Sequence, residues 1–124
     1  MPSMPQISDA EWEVMKVLWD SDPLTAGQAV QRIQTDQKWA PRTIKTLLAR
    51  LVKKGAIAVH LDGRRYLYRP RVTREACRRH ETRSFLCRVF DGAVTPALVH
   101  FIKQANLSSQ EIEHLKQLLD QEAQ

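Results

Sequence analysis

Residues 39–55 read Trp39-Ala40-Pro41-Arg42-Thr43-Ile44-Lys45-Thr46-Leu47-Leu48-Ala49-Arg50-Leu51-Val52-Lys53-Lys54-Gly55. Pro41 suits the first position of a helix, where its missing N–H costs nothing. Gly55 suits the position just beyond a helix end. Between them Ile44, Leu47, Leu48 and Leu51 recur at helical spacing and make one apolar face. The opposite face carries Arg42, Thr43, Lys45, Thr46, Ala49, Arg50 and Lys53. A helix with one wholly apolar face and one short-polar and basic face packs on a small frame and presents its cations outward.

Upstream, two shorter helices are expected. Ser8-Asp9-Ala10-Glu11 is a capping box, and Ile7 with Trp12 can staple it. The helix that follows places Trp12, Met15, Leu18 and Trp19 inward. Thr25-Ala26-Gly27-Gln28 is a second capping box, opening a helix with Ala26, Ala29, Val30 and Ile33 on one face. Trp39 is expected as an anchor, and all three tryptophans as core. Downstream, residues 56–61 and 65–69 alternate as strands around Asp62-Gly63-Arg64, a hairpin signal. Ile57, Val59 and Leu61 alternate on the first strand, Tyr66 and Tyr68 on the second. At least one tyrosine is expected to pack on the helices.

Three more helices complete the chain. Thr73 caps a long one to about Phe90, ended by Gly92. Thr95-Pro96 begins another, with Leu98, Phe101, Ile102 and Ala105. Ser108-Ser109-Gln110-Glu111 is a third capping box, followed by Ile112, Leu115, Leu118 and Leu119. The expected class is mainly α: a winged helix-turn-helix domain at 1–72, three helices plus a β-hairpin wing, then a three-helix dimerisation domain at 73–124.

The chain has 124 residues with a formal net charge of +5, too short for a large multi-domain enzyme. The charge is unevenly placed. Residues 1–37 hold six acids and two bases, 38–71 hold ten bases and one acid, and 73–124 hold seven of each. A basic tract confined to one helix and one hairpin points to a polyanion partner there. An α-helix fits the major groove of duplex DNA. Arg42, Lys45 and Arg50 reach guanine edges or phosphates. Thr43 and Thr46 can meet a thymine methyl, while Lys53 and Lys54 suit phosphates. Arg64 and Arg65 at the wing tip follow the backbone or enter the minor groove. The competing readings are a merely solvated basic face, or a winged helix that binds protein without reading DNA.

The second half carries more apolar surface than so small a segment can bury alone. Leu86, Val89, Phe90, Leu98, Phe101, Ile102, Ile112, Leu115 and Leu119 are therefore assigned to a dimer interface. Charges agree, since 74–88 is net basic and 89–124 net acidic. No nucleophile–base arrangement, phosphate-cradling glycine loop or metal motif is visible, so no enzyme, cofactor or metal is expected. Cys77, His80 and Glu81 share one helix face but fall short of a four-ligand site. Cys77 and Cys87, ten residues apart, stand about 15 Å apart along a helix, beyond disulfide reach. The longest apolar run is four residues at 56–59, far from a membrane span. Met1-Pro2-Ser3-Met4-Pro5 shows no leader pattern. A reduced, cytoplasmic protein is expected.

Three stretches carry a resemblance: Ile7-Ser8-Asp9-Ala10-Glu11-Trp12-Glu13-Val14-Met15, residues 39–51 with Lys53-Lys54-Gly55, and Asn106-Leu107-Ser108-Ser109-Gln110-Glu111-Ile112-Glu113-His114-Leu115. Together the chain resembles the penicillinase-repressor family (the BlaI/MecI/CopY group) over nearly its whole length. The resemblance implies a homodimeric repressor on an inverted-repeat operator, commonly of TACA/TGTA type. By similarity the base-reading positions are Arg42, Thr43, Lys45, Thr46 and Arg50. The family often has serine where this chain has Ala40, so that cap is absent here. In the antibiotic-resistance branch a membrane sensor-protease triggers cleavage at an Asn-Phe bond. The matching pair is His100-Phe101, which keeps only the phenylalanine. The copper branch binds metal through C-terminal cysteine pairs, and this chain has no cysteine after Cys87. Another metal or signal is the alternative inducer.

Overall fold

The computed structural model describes residues 4–124; the first three residues read above for a leader lie outside them. The elements are α1 (Asp9–Asp20), β1 (Leu24–Thr25), α2 (Ala26–Asp36), α3 (Pro41–Lys54), β2 (Ile57–Asp62), β3 (Arg65–Pro70), α4 (Arg74–Phe90), α5 (Val94–Ala105) and α6 (Ser109–Glu122). They group into two compact units, Met1–His80 and Glu81–Gln124, with the division inside α4.

The first unit is a three-helix frame with a hairpin wing. Ser8 caps α1 through the Glu11 amide while Glu11 reaches back to the Ser8 amide. Thr25 and Gln28 do the same for α2. α3 starts at Pro41 with no side-chain cap at Ala40 and stops at Gly55, whose φ of 84° places it in the left-handed region that glycine tolerates. The apolar faces converge on one core. Val14, Met15 and Leu18 meet Ala29, Val30 and Ile33 and the α3 set Ile44, Leu47, Leu48 and Leu51, closed by Ile7, Leu24, Ala56, Ile57 and Cys77.

The inward face of α1 differs from the sequence reading. Val14 and Glu11 are fully buried, whereas Trp12 and Trp19 lie at the rim, half-buried and edge-on to each other at 5.4 Å. The rim position has a physical reason: the Trp19 indole N–H donates to the Val72 carbonyl at 2.9 Å, and Arg74 lies over the ring at 5.5 Å. An indole with a polar handle gains more at an edge than in a dry core.

β2 and β3 pair antiparallel from Ile57↔Pro70 to Asp62↔Arg65. The turn uses Gly63 at φ 64°, the backbone that a tight hairpin demands. β1 was not expected. It pairs Leu24↔Tyr68 and Thr25↔Leu67, making the sheet order β1-β3-β2. Tyr68 packs against the core, while Tyr66 and Leu61 are exposed as the hairpin leaves the frame.

In the second unit Asp91 and Gly92 turn the chain at positive φ between α4 and α5. Thr73 caps α4 by accepting from the Ala76 amide at 3.0 Å. α5 begins at Val94 after an uncapped Ala93, one residue ahead of the expected Thr95-Pro96 start. Ser108 and Glu111 form the third capping box. Phe85 stacks on Phe101 at 5.9 Å, with Phe90 edge-on to both. Ala97 is buried, but the larger apolar residues of α5 and α6 are not.

Candidate nucleic-acid interface

The periodicity of α3 divides it cleanly into two faces. Ile44, Leu47, Leu48 and Leu51 are buried, while Arg42, Thr43, Lys45, Thr46, Ala49, Arg50 and Lys53 are exposed. All five expected base-reading side chains thus lie on the outward face of one helix. The Thr46 hydroxyl donates to the Arg42 carbonyl at 2.9 Å. That leaves its methyl and its acceptor lone pairs for a partner.

The cations separate into internally paired and available ones. Arg69 pairs with Asp22 at 3.3 Å, and Arg65 lies 3.8 Å from Asp62, both at exposed positions. Exposed pairs of that kind are worth about 0–1 kcal/mol, so Arg65 stays available. Arg42, Lys45, Arg50, Lys53 and Arg64 have no acidic partner among the described residues. They leave unpaired positive charge on one helix face and at one wing tip.

Lys54 stands apart. Its ammonium donates to Glu11 Oε1 at 2.5 Å and to the Gln6 carbonyl at 2.7 Å. Glu11 is 1% exposed. Burial pushes its carboxyl up, but the Lys54 ammonium and the Ser8 amide and hydroxyl outweigh this and hold it below its ordinary value. Sequence reading placed Lys54 beside Lys53 as a phosphate contact and did not single out Glu11 as a buried charge. The only hint of burial was that Glu11 sits one turn before Met15.

The residues assigned to a dimer interface all lie in the second unit. Leu86 and Phe90 are half-buried, and Val89, Leu98, Phe101, Ile102, Ile112, Leu115 and Leu119 are exposed. His100 and Phe101 sit in mid-α5, both exposed. Cys77 is buried in the first unit's core, and burial raises its thiol pKa, which disfavours the thiolate that metals bind. His80 is half-buried and Cys87 exposed. Among the described residues no three His, Cys, Asp or Glu side chains gather as a metal site. No single helix among them is long and apolar enough to cross a membrane.

A family model described as penicillinase repressor matches residues 7–121. The chain is 36% identical over 121 residues to the penicillinase repressor of Bacillus licheniformis, covering 98% of this chain and 94% of that one. It is 33% identical over 115 residues to the methicillin resistance regulatory protein MecI of Staphylococcus aureus, covering 93% and 94%. Among solved structures, the DNA-binding domain of the repressor BlaI is similar with a TM-score of 0.54 and 42% identity, covering 60% of this chain and 90% of that one. The monomeric form of Bacillus licheniformis BlaI in complex with the blaP half-operator is similar with a TM-score of 0.54 and 41% identity, covering 60% and 92%.

Proposed function

The chain belongs to the penicillinase repressor family, and from that premise we propose that it represses transcription as a homodimer on an inverted-repeat operator controlling β-lactam resistance. It is a DNA-binding winged-helix repressor and not an enzyme. The observation that carries the finer reading is the division of α3: three leucines and an isoleucine buried on one side, and on the other an exposed row from Arg42 to Lys53. Such a helix lies in the major groove with Arg42, Thr43, Lys45, Thr46 and Arg50 toward the base edges. Lys53, Arg64 and Arg65 then neutralise phosphates and fix register.

The second copy follows from the uncovered apolar residues of α5 and α6, which water-exposed monomers rarely keep as a contiguous face. Two-fold symmetry matches two reading helices to an inverted repeat. Relief of repression has a physical route in the same face. Cutting His100–Phe101, at the prompting of a membrane sensor-protease, would divide Leu98 from Phe101 and Ile102 and sever α6 from the rest. Because the bond lies in a hydrogen-bonded helix, a protease must first open that turn.

Arg50 tests the reading. On an inverted-repeat duplex with TACA/TGTA half-sites, Arg50→Ala is expected to weaken binding by about 1–3 kcal/mol if the side chain reads a base bidentately. Fluorescence anisotropy measures it. Equal affinity for wild type and variant would remove Arg50 from the base-reading set.

A further inference from the structure

Glu11 is the one charged side chain buried among the described residues, at 1% exposure. Its partner, Lys54, is the last residue of α3, 43 positions away. Oε1 accepts from the Lys54 ammonium and from the Ser8 amide at 2.9 Å. Oε2 is buried with no hydrogen-bond partner. An ion pair with one unsatisfied oxygen is a poor source of stability, since desolvation offsets most of its attraction and apolar residues of similar volume do as well. What an ion pair offers that apolar contact does not is direction: it holds one atom against another.

The place where it acts matters. The Lys54 ammonium makes the only side-chain hydrogen bonds from α3 to another part of the chain among the described residues. The N-terminal end of α3 has no side-chain cap. Otherwise the helix is held by its apolar face and by the backbone just beyond it, where the Arg71 amide donates to the Ala56 carbonyl. Arg50 lies one turn before Lys54, and Lys53 immediately before it.

We propose that Lys54 is a positioning residue of the reading helix, not a phosphate contact: its tether to Glu11 and the Gln6 carbonyl seats the C-terminal turn of α3 and so sets where Arg50 and Lys53 meet the duplex. The proposal rests on the α3 reading above and assigns Lys54 a different task within it.

The test compares the full chain with Lys53→Met, Lys54→Met, Lys54→Arg and Glu11→Gln. Each is titrated across salt with the TACA/TGTA inverted-repeat duplex and with a scrambled duplex of equal length. Lys53→Met is expected to weaken both alike and to lower the salt slope by about one. Lys54→Met is expected to keep the wild-type slope while its preference for the operator falls several-fold. Lys54→Arg, whose forked donors can reach a carboxylate, restores the preference. A slope lower by about one with equal weakening on both duplexes makes Lys54 a phosphate contact and overturns the proposal; so does an unchanged preference in Lys54→Met. Should Lys54→Met fail to fold, Glu11→Gln carries the test, with the same loss of preference expected and its absence decisive. Amide exchange without DNA reads the tether by itself. Residues 50–54 are expected to exchange faster in Lys54→Met and Glu11→Gln, and unchanged protection overturns the tether even where DNA binding is lost. Wild-type protein that binds the two duplexes equally would instead count against the operator reading.

Discussion

Leu115→Asp combined with Leu119→Asp is expected to yield a folded monomer that holds a half-site normally and a full inverted repeat poorly. α6 contains no buried residue, and Ile112, Leu115, Leu118 and Leu119 are between 38% and 59% exposed. Leu98, Phe101 and Ile102 on α5 are exposed as well. Two aspartates on α6 therefore empty no buried position, and they place charges where a partner's apolar surface must desolvate them. Phe101 is the poorer choice, because it stacks on Phe85 within the same unit. Joining two half-site contacts in one dimer raises affinity by about 10²–10⁴-fold through effective concentration. Losing the dimer forfeits that factor on the full repeat and nothing on an isolated half-site. Sedimentation gives the oligomeric state and anisotropy on both duplexes gives the ratio. A double variant that still sediments as a dimer would place the interface elsewhere.

Lys54→Met is expected to destabilise the fold far more than Glu11→Gln. Removing one partner of a buried ion pair costs about 3–5 kcal/mol because an uncompensated charge is left inside. Here the two deletions are unequal. Without Lys54, Glu11 remains buried at 1% exposure. Without the carboxylate, Lys54, whose side chain is 35% exposed, turns its ammonium to water and loses little beyond its hydrogen bond, about 1 kcal/mol. That partial exposure places the Lys54→Met cost near the lower end of its range, about 3 kcal/mol.

The pH dependence separates Lys54→Met from the wild type. In the wild type the folded Glu11 pKa lies below the ordinary 4.5, so its contribution is complete above that value and is lost as pH falls through the lowered one. In Lys54→Met the ammonium no longer helps and only the Ser8 amide and hydroxyl oppose burial, so the folded pKa is higher than in the wild type and less stability is lost on acidification. Denaturant unfolding at pH 7 and pH 4 measures both. Parallel acid loss in wild type and Lys54→Met would show that Glu11 does not depend on Lys54.

Much of this was legible because it is local. A capping box needs only residues i and i+3, and all three, at Ser8, Thr25 and Ser108, formed as read. The α3 faces follow from a 3.6-residue period, and the buried set is the expected one. β1 was missed because two residues, Leu24 and Thr25, carry no alternation; only pairing with β3 makes them a strand. Trp12 and Trp19 were read inward from their helical spacing, yet the rim position of Trp19 depends on Val72 and Arg74, more than fifty residues on.

Local spacing was enough to show which face of α3 turns outward with its cations, where the capped helices begin, and that the second half carries more apolar surface than it covers. Those properties reside in short-range spacing. Tertiary structure alone decided which cations are available to a partner. Lys53 and Lys54 are chemically alike and adjacent, but one helical step of about 100° carries Lys54 from the solvent side to the side where Glu11 waits. A charge's role depends on what folding brings beside it, and nothing within a few residues of Lys54 announces a buried carboxylate 43 positions away.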